Sequence, residues 1–164
     1  MSESLKSEFT IALDAMGGDL GPEIIILAAK ESLEKHENLR IVFFGKEKEL
    51  VALCKKNISD QKRIKIVDAQ DVVEMSDSPV DSIRNKKNSS MRIALDYVKE
   101  KKADACVSAG NTGALMATAK FVLKMLPGIN RPAIIAELPA KKKTVHMLDL
   151  GANITNDPEQ LFQF

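Results

Sequence analysis

The segment Phe9–Glu23, with the sequence FTIALDAMGGDLGPE, decides the fold because it leads from an apolar run through a glycine pair to a proline. Phe9–Asp14 is predicted to be a buried β-strand. Pro22 suits the first turn of an α-helix, where its fixed φ and missing N–H are tolerated. A strand, a glycine turn and a helix in succession are the repeating unit of an α/β protein with a mostly parallel sheet.

Two more glycine loops follow strand-like runs further along the chain. They are Ser108–Gly113 (SAGNTG) after Ala105–Val107, and Asp149–Asn153 (DLGAN) after Val145–Leu148. Open α/β sheets bind ligands at the carboxyl ends of their strands, where backbone amides and helix N-termini attract anions. We therefore expect one crevice built from several loops. A tight strand-to-helix turn explains each glycine pattern equally well when it is taken alone.

The remaining chain alternates strands and helices. Further strands are predicted over Arg40–Phe44 and Arg63–Val67, and helices from Pro22 to about His36, over Glu47–Lys56, from Asn88 or Ser89 to the lysines at 99–102, and from the second loop to Leu126. The polar segment Asp68–Lys87 contains Pro79 and is predicted to be irregular. Long loops of this kind in compact domains are usually functional or disordered.

The end of the chain indicates a mixed sheet. Ala133–Leu138 and Thr144–Leu148 are both strand-like, and only a short lysine-rich segment separates them. A parallel crossover needs about a dozen residues or more. We therefore expect these two strands to be antiparallel if they pair.

Composition excludes several classes of protein. The chain has 164 residues, a net charge of +1, no Trp and one Tyr. It is long enough for one domain with a hydrophobic core, and it has neither the basic charge nor the aromatic platforms of a nucleic-acid-binding protein. The longest apolar run, Ile24–Ala29, is far too short to cross a bilayer. Cys54 and Cys106 form no disulfide or metal pattern, so a reducing cytoplasm is the simplest location.

Known catalytic motifs are missing from the loops. The chain has no Walker motif and no Gly-x-Gly-x-x-Gly turn, and metal-ligand spacing is also missing. Ser108 and Thr112 are possible nucleophiles but lack the elbow sequence and an evident base. Arg84, Lys86 and Lys87 lead into a capped helix, where a phosphate is favoured. A solvated basic loop explains these three residues equally well.

Five motifs, taken in order along the chain, resemble the bacterial phosphate acyltransferases of phospholipid synthesis, the PlsX family. The motifs are Asp14–Asp19 with Gly21-Pro22, Ile83–Ser90, Ser108–Leu115, Arg131–Ala133 and Leu148–Asn153. The resemblance runs from about Thr10 to Phe164 and matches the amino-terminal half of the family protein. It implies that residues 1–8 are a polar leader and that residues 9–164 are part of a larger α/β domain, truncated at its carboxyl end.

The resemblance also implies a fold and an activity. The fold is a three-layer α/β/α sandwich with a mostly parallel, mixed sheet, related to phosphotransacetylases and isocitrate-dehydrogenase-like enzymes. The activity is transfer of a long-chain acyl group from acyl carrier protein to inorganic phosphate. The acyl phosphate product feeds a membrane glycerol-3-phosphate acyltransferase. The expected protein is a cytoplasmic homodimer at the membrane periphery, without a cofactor.

The resemblance assigns roles to residues of the loops. Catalytic roles fall to Asn111, Asn153 and Asp149, with either asparagine as the donor to the oxyanion. Substrate binding falls to Asp14, Gly17, Gly18, Asp19, Arg84, Lys87, Ser89, Ser108, Gly110, Thr112, Gly113 and Gly151. The carboxylates are expected to orient basic groups or to cap loops, because they would repel phosphate if they faced it. Asn111 is equally compatible with a role in shaping its loop.

Two alternatives to this function remain open at the level of sequence. One is a phosphotransacetylase-like enzyme that uses coenzyme A. The other is a catalytically incomplete fragment that serves in binding or assembly.

Overall fold

The computed structural model of the chain describes residues 8–151, 153 and 155–164. Residues 1–7 of the predicted polar leader lie outside the described residues, as does Ala152 of the third glycine loop. The chain divides into two compact units, one ending at Leu123 and the other comprising Lys124–Phe164.

The first unit contains a four-stranded sheet that is parallel throughout. Its strands are β1 (Phe9–Asp14), β2 (Leu39–Gly45), β3 (Ile64–Asp68) and β4 (Ala105–Ser108), in the order β3-β2-β1-β4. The register places Asp14 beside Phe44 of β2 and beside Ser108 of β4. The carboxyl ends of β1, β2 and β4 therefore lie side by side at one edge of the sheet, as the sequence predicts.

Helices cover both faces of this sheet. They are α1 (Pro22–Lys35), α2 (Glu47–Asn57), α3 (Pro79–Asn85), α4 (Ser90–Lys99) and α5 (Thr112–Leu123), with a 3-10 turn at Gln61–Arg63. Helices α1 and α2 pack on one face around Phe43 and Leu50, and α4 packs on the other around Phe44 and Ala94. The result is the predicted α/β/α sandwich.

Local capping explains where α4 begins. The Ser89 side chain accepts a hydrogen bond from the backbone amide of Arg92 at 3.3 Å. Ser89 is buried, and Lys99 lies in the last turn of the helix, where a cation suits the helix dipole. The predicted cap is confirmed at Ser89.

The structure corrects two predictions in the first unit. The segment Asp68–Lys87 is not irregular throughout, because it contains α3. Ser78 caps this helix by accepting from the amide of Asp81 at 3.1 Å, and Pro79 occupies its first position. Helix α5 ends at Leu123 and not at Leu126, since the next residue, Lys124, has a left-handed φ of 70°.

The second unit contains the predicted antiparallel pair. Strands β5 (Ile135–Leu138) and β6 (Val145–Leu148) pair antiparallel in a two-stranded sheet of their own. A short helix, α6 (Pro158–Gln163), follows, with Asp157 as its cap. Parallel and antiparallel pairing therefore both occur in the chain, in separate sheets.

We predict that Leu50→Ala lowers the free energy of unfolding by about 2–5 kcal/mol. Leu50 lies on the inner face of α2, and its side chain is 0 % exposed. Leu20→Ala is the matched control, since Leu20 is 79 % exposed and its loss should change stability by less than about 0.5 kcal/mol. Urea unfolding followed by circular dichroism checks both variants. Equal effects would contradict the placement of the core.

Candidate functional site

Hydrogen bonds join two glycine loops at the carboxyl edge of the sheet: the first loop, Asp14–Asp19, and the second loop, Ser108–Gly113. The Ser108 hydroxyl donates to Asp14 Oδ2 at 2.7 Å, and the Gly110 amide donates to Ser108 Oγ at 3.1 Å. Asp14 Oδ1 accepts from the Met16 amide at 3.2 Å. Asp14 is only 1 % exposed, so its carboxylate holds the two loops and does not face solvent.

Gly17 is required by the close approach of these loops. A Cβ atom at this position would lie 2.7 Å from Asp14 Oδ2 and 2.9 Å from the amide nitrogen of Gly110. Gly18 has a left-handed φ of 98°, which glycine adopts without strain. Within the described part of the chain, the amides of Gly17 and Gly18 have no hydrogen-bond acceptor. Gly17 is buried and Gly18 is half-buried, so the Gly18 amide is the more accessible of the two.

The start of α5 presents further amides. Asn111 Oδ1 accepts from the amide of Ala114 at 2.9 Å, so this side chain caps the helix. Thr112 and Gly113, in the first helical turn, are exposed. Amides of the first turn have no acceptor within the helix, and together with the helix dipole they attract anions.

The amide nitrogen of Asn111 is engaged with backbone carbonyls. Nδ2 lies 3.3 Å from the carbonyl oxygen of Glu74, 3.0 Å from that of Met75 and 3.0 Å from that of Asp77. An amide group has two hydrogens to donate, and these three acceptors occupy them. The catalytic role assigned to Asn111 stays a prediction, and the contacts favour its alternative role in shaping the structure.

The contacts of Asn111 fix a segment that we name the wall segment, residues 72–77. Across from it lies the first glycine loop, and the space between them is a cleft of about 410 Å³. Met16, Gly18 and Asp19 line one side of the cleft, and Val73–Ser76 line the other. Two acidic residues, Asp19 and Glu74, are among those that line the cleft, and both are exposed.

A second anchor of the wall segment is an ion pair that sequence reasoning missed. Lys86 Nζ donates to the Asp77 carboxylate and, at 2.6 Å, to the carbonyl oxygen of Val72. The Asp77 carboxylate also accepts from the amide of Glu74 at 2.7 Å. The hydrogen bond from Lys86, followed by that from Glu74, lowers the pKa of Asp77. In the sequence, Lys86 is one of three similar basic residues and nothing marks it as the inward one.

The other two basic residues point to solvent. Arg84, in the last turn of α3, and Lys87, just before α4, are both exposed. Neither forms an ion pair or hydrogen bond with any residue that the structure describes. They are free to meet an anionic ligand, and their predicted roles stay predictions.

The third glycine loop, Asp149–Asn153, lies in the second unit and is braced by its own residues. Asp149 Oδ2 accepts from both the amide and the side chain of Asn153, each at 2.9 Å. Asn153 Nδ2 also donates to the Pro132 carbonyl oxygen at 3.2 Å, and Asp149 Oδ1 accepts from the Ile134 amide at 3.3 Å. Gly151 has a left-handed φ of 78°. The catalytic roles assigned to Asp149 and Asn153 stay predictions.

Neither cysteine is activated as a nucleophile. Burial raises the pKa of Cys54 to about 11. Burial, with a smaller contribution from the negative charge of Asp14, raises the pKa of Cys106 to about 12. Both thiols are therefore protonated at neutral pH, and the thiolate is the reactive form.

Among solved structures, the chain is similar to the EutD phosphotransacetylase from Staphylococcus aureus. The TM-score is 0.65 at 20% sequence identity, over 95% of this chain and 50% of that chain. The likeness defines the fold class: an α/β protein built like part of a phosphotransacetylase. A family model described as "Fatty acid synthesis protein" matches residues 9–164, and the chain belongs to this family.

Curated relatives carry the name phosphate acyltransferase. The protein from Methylococcus capsulatus is 55% identical over 158 residues, which cover 94% of this chain and 46% of the relative. Those from Coxiella burnetii and Shewanella baltica are 54% and 51% identical. The chain thus spans about half the length of the curated relatives it matches, and the resemblance found in the five motifs is confirmed. In the described part of the chain, no helix is long and apolar enough to cross a bilayer.

We predict that Gly17→Ala destabilises the first unit by about 1–3 kcal/mol, because the added methyl group collides with Asp14 and with the backbone at Gly110. Gly113→Ala is the control: its Cβ would lie an ordinary 3.4 Å from Pro79 Cγ. Thermal unfolding of both variants checks the prediction. A Gly17 variant as stable as the Gly113 variant would refute the close approach of the two loops.

The ion pair between Lys86 and Asp77 is also predicted to make the stability of the fold depend on pH. Because Lys86 lowers the pKa of folded Asp77, their interaction stabilises the fold fully above the ordinary pKa of an aspartate, about 3.9. The stabilisation is lost as the pH falls through the lowered pKa. Lys86→Met should therefore reduce the urea midpoint at pH 7, and the difference from the unchanged chain should shrink in acid. A difference that is independent of pH down to acid unfolding would contradict the ion pair.

Proposed function

We propose that this chain is part of a phosphate acyltransferase that moves a long-chain fatty acyl group from acyl carrier protein to inorganic phosphate, giving acyl phosphate for phospholipid synthesis. Membership of the fatty acid synthesis family and the names of the curated relatives support this proposal. The observation that carries it is the crevice of interlocked glycine loops next to the exposed start of α5.

The proposed acyl transfer does not depend on a strongly basic or acidic side chain. An oxygen of phosphate attacks the thioester carbonyl carbon, a C–O bond forms, the C–S bond breaks, and the thiolate leaves and takes up a proton. Phosphate is already an anionic nucleophile at neutral pH, so neither a strong general base nor a covalent enzyme intermediate is needed. The site has to hold the two reactants together and stabilise the oxyanion.

Backbone amides are the groups best suited to this work. In the proposal, phosphate binds at the first turn of α5, at the amides of Thr112 and Gly113, where the helix dipole favours an anion. The amide of the half-buried Gly18 is the donor for the oxyanion. The buried carboxylate of Asp14 does not oppose phosphate binding there, because it is turned into the bond with Ser108.

Arg84 and Lys87 are proposed to neutralise phosphate or to dock the acidic carrier protein. Both are exposed and carry a charge that no described residue balances. Replacing Arg84 by Ala should raise the KM for phosphate in the first case. In the second case it should raise the KM for the carrier protein in a salt-sensitive way.

The remaining parts of the proposal rest on the resemblance of the motifs. They are a homodimer, a cytoplasmic location at the membrane periphery, and delivery of the acyl phosphate to a membrane glycerol-3-phosphate acyltransferase. A coenzyme A-dependent phosphotransacetylase reaction is the second candidate function, and the similarity in fold to the Staphylococcus aureus protein favours it.

We expect a version of this chain extended to the length of its relatives to release free thiol from acyl–acyl carrier protein only when phosphate is present. The chain alone should be much slower, because it spans less than half of the relatives' length. Thiol release, measured with acyl carrier protein and with acyl coenzyme A as donors, checks this prediction. Preference for acyl coenzyme A would favour the second candidate, and release without phosphate would refute the reaction.

A further inference from the structure

We infer that Asn111 and Lys86 are positioning residues that fix the wall segment, and that the cleft which this segment bounds takes the uncharged, thioester-bearing arm of the acyl donor and not phosphate. The inference rests on the proposed function for its substrates. Its structural part, the fixing of the wall segment, can be tested without any activity.

The wall segment has no regular secondary structure, and its internal hydrogen bonds join only Glu74 and Asp77, so its other polar backbone groups need partners from elsewhere. Asn111 supplies one set: its amide group reaches carbonyl oxygens of Glu74, Met75 and Asp77. These contacts join residues 34 to 37 positions apart in the chain. The Glu74 carbonyl also accepts from the amide of Asp77, whereas Asn111 is the donor that the described residues supply to the carbonyls of Met75 and Asp77.

Lys86 joins the two ends of the wall segment. Its ammonium group joins the carbonyl oxygen of Val72, at the start of the wall segment, to the carboxylate of Asp77 at its end. Lys86 is the residue that follows the last turn of α3, and it is only partly exposed, in contrast to Arg84 and Lys87. Its charge is balanced by Asp77, so it serves the structure and is not offered to phosphate.

The charges around the cleft decide which substrate fits it. Asp19 and Glu74 are among the residues that line the cleft, and the negative charge of these two residues disfavours a phosphate anion there. The arm of the thioester donor is uncharged near the reacting bond and carries amide N–H groups. Carboxylate and carbonyl oxygens are acceptors for such donors. The cleft therefore suits the acyl donor, while the start of α5 suits phosphate.

Asn111 connects the two proposed subsites. Its oxygen caps the helix at which phosphate is placed, and its nitrogen holds the wall of the cleft. Asn111→Ser separates these tasks, because Ser remains a good and uncharged helix cap but lacks the amide group that reaches the carbonyls. Lys86→Met removes the other anchor while keeping an unbranched side chain.

The experiment uses the protein extended to the length of its relatives, with Asn111→Ser, Lys86→Met and the control Lys99→Met. Lys99 is an exposed lysine at the end of α4 and has no part in the site. Hydrogen exchange of peptides covering the wall segment should be faster by about tenfold or more in the first two variants. The KM for acyl–acyl carrier protein should rise about fivefold or more, with kcat and the KM for phosphate within about twofold. The control should match the unchanged protein in every measurement.

Each other outcome counts against a defined part of the inference. Unchanged exchange in both variants would overturn the anchoring of the wall segment. Faster exchange with a higher KM for phosphate would overturn the assignment of the cleft to the acyl donor. A loss of kcat of about a hundredfold in the Asn111 variant alone would overturn its positioning role and restore the oxyanion role. If the unchanged protein releases no thiol, the proposed function and the substrate assignment fail together, while the exchange data still decide the anchoring.

Discussion

The hydrogen bond between the Ser108 hydroxyl and the buried carboxylate of Asp14 is the interaction on which the crevice depends. Parallel pairing of β1 with β4 places these two residues side by side at the ends of their strands. The bond draws the two glycine loops so close that no Cβ fits at Gly17. Because the same carboxylate also accepts from the Met16 amide, one buried group sets both the turn after β1 and its distance from the second loop.

Charge is divided in a way that suits a reaction between an anion and a neutral thioester. The acidic residues Asp19 and Glu74 line the cleft beside the wall segment, whereas the exposed start of α5 offers backbone amides. The start of α5 therefore suits an anion better than the cleft does. The positive charge of Lys86, next to the wall segment, is balanced by Asp77.

Features that local sequence controls could be predicted, and features that distant contacts control could not. The strand before the first glycine loop and the cap at Ser89 follow from patterns within a few residues. The task of Asn111 depends on carbonyl groups in a segment more than thirty positions earlier, and no local pattern points to them. Likewise, Lys86 anchors the wall segment and Arg84 and Lys87 do not, because Lys86 donates a hydrogen bond to the carbonyl oxygen of Val72. The sequence does not reveal this contact. Helix α3 is the exception, because Ser78 and Pro79 signal its start locally, yet a proline in a polar segment is equally typical of irregular structure.

Hydrogen bonds to backbone amides explain why an Asp or Asn lies beside the glycines of each loop. Asp14, Asn111 and Asp149 each accept a hydrogen bond from a backbone amide two, three or four residues later. Their oxygens thus shape the loops, and the accessible backbone amides, such as those of Gly18 and Gly113, are the groups that a ligand can meet. A site of this kind can orient an anionic nucleophile and stabilise an oxyanion without a catalytic base. This is the chemistry that transfer of an acyl group to phosphate requires.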